Sequence, residues 1–259
     1  MNLKTIAMNN SGPVRTITLH RPDRRNAMTP EMQMELIAAL EETAVSHCRV
    51  LVLAGAGSAF CSGLDLSVLK GMQGATADEY RADAERIARL FLALYELPIP
   101  TIAVVQGPAI AGGAGLAILC DFTLATPEAK FGFTEVRIGF VPALVSIFLS
   151  LQIGDKRSRD LLLTGRVIDA NEAHRMGLVN EVVPREELAR RVESLAQSLI
   201  ANSPQALGTT KRMIAERQRA WLDTAVANAI EVSAQSRETG EFREGIAAFL
   251  EKRTPEWSK

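Results

Sequence analysis

Two short glycine-lined turns, Ser62-Gly63-Leu64-Asp65 and Ala111-Gly112-Gly113-Ala114-Gly115, each follow an apolar strand-like run and lead into a helix-like one. Main-chain N–H groups at the start of a helix have no intrahelical partner and are free to point outward. Two of them aimed at one point stabilise a negative charge developing on oxygen, which is the work of an oxyanion hole. Downstream stands Glu135, flanked by Phe131, Phe133, Val136 and Ile138. A carboxyl partly withdrawn from water has a raised pKa and transfers protons near neutral pH. The two turns and the acid together describe a site that holds an enolate and moves a proton beside it.

Other chemistries are poorly supported. The spacing of Gly113 and Gly115 is not that of a dinucleotide fingerprint, and no G-x-S-x-G elbow is present. Cys61 beside the first turn has no accompanying histidine, while His20, His47 and His174 show no partner pattern; His174 is expected on an exposed helix. No cluster has metal-ligand spacing, and Asp121 after Cys120 reads as a hydrogen-bonding residue at a strand entry. Cys48, Cys61 and Cys120 are odd in number and lie in apolar runs, which suggests free thiols in a reducing compartment. A net charge of −1 gives no general attraction for nucleic acid or an anionic membrane. No run reaches the ~18 apolar residues of a spanning helix, and the start carries no signal-type apolar core, so the expected location is the cytoplasm.

The elements that must hold these turns can be read from the patterning. With 259 residues, 47% hydrophobic and 23% charged, the chain fits a soluble globular protein of one large domain or two average ones. Val14-Leu19, Val50-Ala54, Thr101-Val105, Phe122-Ala125 and Leu178-Val183 read as strands, several almost continuously apolar, as in a sheet covered on both faces. Tyr80, Ala84, Ile87, Phe91 and Leu94 repeat at helical spacing, giving an amphipathic helix that ends near Pro98. Leu151-Ile153, then Gly154-Asp155, then Arg157-Leu163 suggests a turn into another helix. Asp169 is placed to cap a helix over Ala170-Met176 closed by Gly177. Asn202-Ser203-Pro204 marks a break, beyond which Gln205 to Lys252 is helix-prone. The expected class is α/β with a helical C-terminal appendage.

Longer stretches carry a family likeness. Pro108 to Ala117, Cys120-Asp121 and Phe131-Gly132-Phe133-Thr134-Glu135-Val136-Arg137-Ile138-Gly139 resemble the crotonase superfamily, also called the enoyl-CoA hydratase/isomerase family. Arg21-Pro22 with Asn26-Ala27, Ala59 to Asp65, Leu163-Thr164-Gly165, Gly177-Leu178-Val179 and Ala248 to Arg253 occur in the family's order, so the likeness covers almost the whole chain. It implies a spiral of ββα turns over residues 1–200 carrying an acyl-CoA site, and a C-terminal helical trimerisation region over 201–259. It also implies a homotrimer or dimer of trimers, and a coenzyme A thioester that enters as substrate, with no separate cofactor and no metal.

By the same resemblance the amides of Leu64 and Gly112 form the hole and Glu135 is the acid/base, while Gly115 stands where the best-known hydratases have a second glutamate. The likeness points to Arg24, Arg25, Ala27, Ser62, Leu64, Asp65, Leu66, Gly112, Phe249 and Lys252 around the substrate and its coenzyme A, with Asp65 as structural support. Three readings stay open. One is a hydratase using Glu135 alone, with room at Gly115 for a branched or carboxylated acyl group of methylglutaconyl type. The second is a Δ3,Δ2-enoyl-CoA isomerase using Glu135 alone, and the third a non-catalytic acyl-CoA binder.

Overall fold

The computed structural model describes residues 3–72 and 74–257. The chain opens with an antiparallel hairpin of β1 (Ile6–Ser11) and β2 (Val14–Leu19), followed by α1 (Pro30–Ala44) and β3 (Val50–Gly55). Next come α2 (Leu66–Gly71), α3 (Ala77–Tyr95), β4 (Thr101–Val105), β5 (Ala109–Ile110), α4 (Gly112–Leu119), β6 (Phe122–Ala125) and β7 (Lys130–Gly132). A 3₁₀ turn over Glu135–Ile138 leads to α5 (Ala143–Thr164), β8 (Val167–Asp169), α6 (Ala170–Met176) and β9 (Glu181–Val182). Four helices complete the described chain: α7 (Arg185–Ile200), α8 (Pro204–Glu216), α9 (Arg219–Ser236) and α10 (Gly240–Glu251).

The strands form two sheets. The larger runs β1-β2-β3-β4-β6-β9 and is parallel from β2 onward; the smaller runs β5-β7-β8, with β5 and β7 parallel. Side chains alternate across a strand, and both faces of β3 are buried: Leu51 and Leu53 join the main core, while Val50 and Val52 pack with Ile102, Leu124 and the α7 residues Leu188, Ala196 and Leu199. That double cover is why these strands lack a polar alternation. On α3, Tyr80, Ala84, Ile87, Phe91 and Leu94 are buried as their spacing predicts, and the start is fixed by a reciprocal cap between Thr76 and Glu79. Asp169 caps α6 and Gly177, at φ 95°, closes it.

Some expectations shift. The run Leu178-Val183 pairs only over Glu181–Val182, because Leu178 and Val179 fold back into the main core after Gly177. The turn expected at Gly154 is a kink inside α5, which already begins at Ala143; Gly154 is its one non-helical residue, at φ 74° and ψ 164°. The short strands β5, β7 and β8 carry too few residues to show a period, and β1 is largely polar and exposed along Asn9–Ser11. Among the described residues, no helix is long and apolar enough to cross a membrane.

One backbone position sets the direction in which the second glycine turn presents its amide. Ala111, between β5 and α4, holds φ 52° and ψ −127°, a region that a β-carbon disfavours. Its own N–H donates to the Gly132 carbonyl at 2.7 Å, and the twist turns the next amide, that of Gly112, away from the sheet. Strain of this kind amounts to about 1–3 kcal/mol, whereas a glycine's extra unfolded-state freedom costs about 0.5–1 kcal/mol. Ala111→Gly is therefore expected to leave the melting temperature unchanged or raise it by a few degrees. A calorimetric scan showing a fall of several degrees would mean that the conformation carries no strain.

Candidate active site

Three parallel segments lie side by side in one register. Cys61 bridges Ala109, and Ala109 pairs with Phe131. Three positions further on, along all three segments, stand Leu64, Gly112 and Thr134, with Glu135 next. Ile110 N–H donates to the Cys61 carbonyl at 2.9 Å, which ties the first turn to the second. A β-carbon on Gly63 (φ +85°) would stand 2.9 Å from the Ile110 oxygen and 3.6 Å from the Gly112 nitrogen. One on Gly113 would lie 2.3 Å from the Cys61 oxygen, so the two turns touch backbone to backbone because both positions are glycine.

The outward amides follow from the pairing. Met28 N–H donates to the Gly63 carbonyl at 2.8 Å, and Asp65 N–H to the Met28 carbonyl at 2.9 Å. In a parallel bridge of this pattern the middle residue, Leu64, directs its own N–H to the opposite side. Gly112 is the first residue of α4, where no intrahelical acceptor exists. Among the described residues neither amide has a main-chain acceptor, and both Leu64 and Gly112 line one cavity.

The first turn is braced from behind. Asn26 is fully buried at φ 54°; its side-chain amide donates to the carbonyls of Ala56 (2.8 Å), Ala59 (2.9 Å) and Phe60 (3.1 Å), and its oxygen accepts from Arg21 N–H at 2.9 Å. The Arg21 guanidinium pairs with Asp65 at 3.0 Å and donates to the Ala27 carbonyl. Asp65 caps α2, accepting from the Ser67 N–H at 3.0 Å and its hydroxyl at 2.6 Å. Burial alone would raise the Asp65 pKa, but the bonds from Ser67 and Arg21 hold it below its ordinary value, so it stays an anion bound to its own helix. Asn26 and Arg21 matter more than their place in a motif suggested; the available signal was that asparagine tolerates a left-handed backbone.

Glu135 starts the 3₁₀ turn and is only 7% exposed. Burial pushes its carboxyl up from 4.5 to about 7, against a smaller lowering by its own backbone amide, and Oε2 has no hydrogen-bond partner among the described residues. An acid in that state has both protonation forms populated at neutral pH. The turn is held from the far side by α10: a β-carbon on Gly139 would meet the Glu241 oxygen at 2.4 Å, and one on Gly245 the Ile138 oxygen at 2.2 Å.

The cavity has a volume of about 410 Å³. Glu135 and Thr134 stand on its wall with Ser62, Leu64 and Gly112, while Arg25, Ala27, Leu66 and the half-exposed Phe249 also border it. Much of the remaining wall is apolar, from Leu69, Ile87, Phe91, Phe140, Leu144 and Val145. Arg24, Asp65 and Lys252 are not on the wall; Arg24 and Lys252 face solvent. Nor is Gly115, and the room expected there is filled: a β-carbon on it would stand 2.7 Å from Phe91 Cζ and 3.2 Å from Val145 Cγ2. Phe91 and Ser233, both on the wall, were not anticipated as site residues, since on their helices they are indistinguishable from core positions. Cys61 is buried and its thiol is pushed up to about 12, which leaves it protonated and packing rather than nucleophilic. Among the described residues no group of three or more His, Cys, Asp or Glu side chains is placed to hold a metal.

The architecture and the site agree with known proteins. The model of the family described as Enoyl-CoA hydratase/isomerase matches residues 9–259. A Thermus thermophilus protein named as an enoyl-CoA hydratase is 42% identical over 245 residues, which cover 94% of this chain and 97% of the relative. The short-chain-enoyl-CoA hydratase of Clostridium acetobutylicum is 31% identical over 264 residues, covering 100% and 99%. A crystal structure of an enoyl-CoA hydratase from Mycobacterium avium subsp. paratuberculosis superposes with a TM-score of 0.89 at 28% identity, over 99% of this chain and 100% of that one. With a family model matched over residues 9–259 and a relative 42% identical over nearly the whole of both chains, the chain belongs to the enoyl-CoA hydratase/isomerase family.

Proposed function

We propose that the protein adds water to the 2,3-double bond of an enoyl-CoA, with Glu135 as its single acid/base. The observation that carries this reading is the desolvated Glu135 carboxyl, set at the same end of the register as the free amides of Leu64 and Gly112. The thioester oxygen sits between the two amides. Ionised Glu135 takes a proton from water as the water oxygen bonds to C3; the electron pair of the double bond moves toward the carbonyl, giving an enolate whose oxygen is held in the hole. Glu135 then returns that proton to C2, so the elements of water are added and the carboxylate is regenerated. The amides interact more strongly with the enolate than with the neutral thioester, which is the condition for lowering the barrier. Nothing in this sequence calls for a metal or a separate cofactor. Coenzyme A belongs to the substrate, and Arg25, Ala27 and Phe249 border the path on which it would lie.

A second reading is a Δ3,Δ2-enoyl-CoA isomerase, in which Glu135 carries a proton between C2 and C4. It is favoured by the Phe91 ring packed over Gly115, since no further carboxylate stands on the described wall. A binder without activity fits poorly, because leaving Glu135 Oε2 dry and without a partner lowers stability without aiding retention of a thioester. The exposed Met213, Ile214 and Trp221 on α8 and α9 support self-association, as a trimer or a dimer of trimers.

Incubation with a linear enoyl-CoA in H₂¹⁸O is expected to place label in a 3-hydroxyacyl product; migration of the double bond without label would establish the isomerase instead. Glu135→Gln is expected to lower kcat by about 10²–10⁴. The same variant tests the burial cost. A raised pKa means that the folded protein binds the proton more tightly than the unfolded chain, so stability is greatest below pH 4.5 and falls as pH rises through about 7. Glu135→Gln should thus gain stability on the wild type between pH 4 and 8, by up to roughly 3 kcal/mol; parallel denaturation curves at the two pH values would refute it. Sedimentation equilibrium should find an assembly of three or six chains, and a monomer would exclude the proposed association.

A further inference from the structure

Ser233 in α9 differs from the other serines of α5 and α9, which all donate to a helix carbonyl. Ser146, Ser150 and Ser236 donate their hydroxyls to the carbonyl three residues earlier. Ser233 Oγ instead accepts from Arg237 Nη1 at 3.0 Å, and among the described residues its hydroxyl proton goes to no acceptor. It is buried, yet it lines the same cavity as Ile87 and Phe140. Arg237 is fully buried, lies 4.9 Å from the centre of the Phe140 ring, and leaves Nε without a hydrogen-bond partner.

The charges behind this hydroxyl do not balance. Asp83 receives Arg237 Nη2 at 2.9 Å and is paired on its other oxygen by Arg86, whose Nε donates to Gln33 at 2.7 Å. Two guanidiniums thus face one carboxylate, and Asp83 and Arg237 are almost wholly withdrawn from water. Location follows from α3 and α9, which run antiparallel: Glu96 meets Arg219 at one end, and Arg81 meets Glu231 at the other. Phe91, Ile87 and Asp83 follow one another at four-residue spacing along α3, so Asp83, which pairs with Arg237, lies about 12 Å along the helix from Phe91, whose ring covers Gly115. Leu64, Gly112, Phe91, Ile87 and Ser233 line one cavity, so an acyl chain running from the two amides along Phe91 and Ile87 would approach Ser233.

We propose that Ser233, polarised by Arg237, is the specificity residue at the far end of the acyl pocket and selects enoyl-CoA esters whose acyl group ends in a carboxylate. The choice of ester rests on the hydratase reading; the subsite itself rests on the geometry of α3 and α9. A hydroxyl already accepting from a guanidinium has only its proton to offer, so it favours an acceptor, and the net positive charge behind it favours an anionic one.

The test compares two 2-enoyl-CoA esters of equal chain length, one methyl-ended and one carboxylate-ended, on wild type and on Ser233→Ala. Dissociation constants of the matching saturated esters are measured alongside. Wild type should prefer the carboxylate, and Ser233→Ala should lower the carboxylate-to-methyl ratio of kcat/KM, and of affinity, by about 10- to 100-fold. Both esters are read on one preparation, so any misfolded fraction cancels in the ratio. An unchanged ratio, or a wild-type preference for the methyl end, overturns the proposal. If neither ester is hydrated but the affinity ratio still falls in Ser233→Ala, the subsite stands and the hydratase reading is lost.

Discussion

The site depends on the register of three short parallel segments. Cys61, Ala109 and Phe131 lie abreast, and the functional groups appear at the same distance beyond each. A slip of one residue would move an amide by about 3.3 Å and reverse the side of the strand from which its neighbours project. An oxyanion donor has no such tolerance, since its hydrogen bond spans only about 2.7–3.1 Å. The register is held by main-chain bonds, Ile110 to Cys61 and Ala111 to Gly132, and by glycine contacts that no other residue could make without moving the strands apart. The strained Ala111 and the bridge geometry at Leu64 then decide where the amides point. The rigid groups of the site therefore belong to the backbone, and side-chain identity at Leu64 matters little.

Glu135 is a different kind of group, because its setting fixes a pKa rather than a direction. The amides keep their protons at any physiological pH, whereas the burial that lifts this carboxyl to about 7 leaves it able both to take and to give one. The same dry surroundings strengthen the pull of the amides on a developing oxyanion, since little water is present to screen it. The packing of α10 against the 3₁₀ turn through Gly139 and Gly245 contributes to both requirements. A C-terminal helix that looks remote in sequence is in this way part of the wall that keeps the acid dry.

Much of this was legible in the chain, for identifiable reasons. Strands β3, β4 and β6 announce themselves because both faces are largely buried, β2 because buried and half-buried residues alternate along it, and α3 and α6 because spacing and caps agree. Two glycine turns before helices, and an acid among aromatic residues, suffice to suggest a hole and a base. What could not be read was proximity. β5 and β7 hold two and three residues, too few for any period, yet they bring Gly112 beside Glu135. Ser233 and Phe91 sit on buried helix faces and look like core. The vacant space expected at Gly115 was misjudged for the same reason, since only the packing of α3 and α5 reveals that Phe91 and Val145 fill it.

That filling limits the chemistry as much as the carboxyl enables it. Phe91 and Val145 pack against Gly115 and Glu135 is the one carboxylate on the described wall, so under the proposed reading protons would reach and leave the acyl chain from the Glu135 side alone. Under the proposed hydration, the group that deprotonates water is also the group that protonates C2, so both new bonds must form on the same face of the double bond. The apolar wall has a second effect. Leu69, Ile87, Phe140 and Leu144 offer water no hydrogen bonds, so the polar groups on that wall, the Glu135 carboxyl among them, are where a water could be held. Under that reading a single carboxylate makes the site directional, because position relative to Glu135 decides which carbon receives the proton.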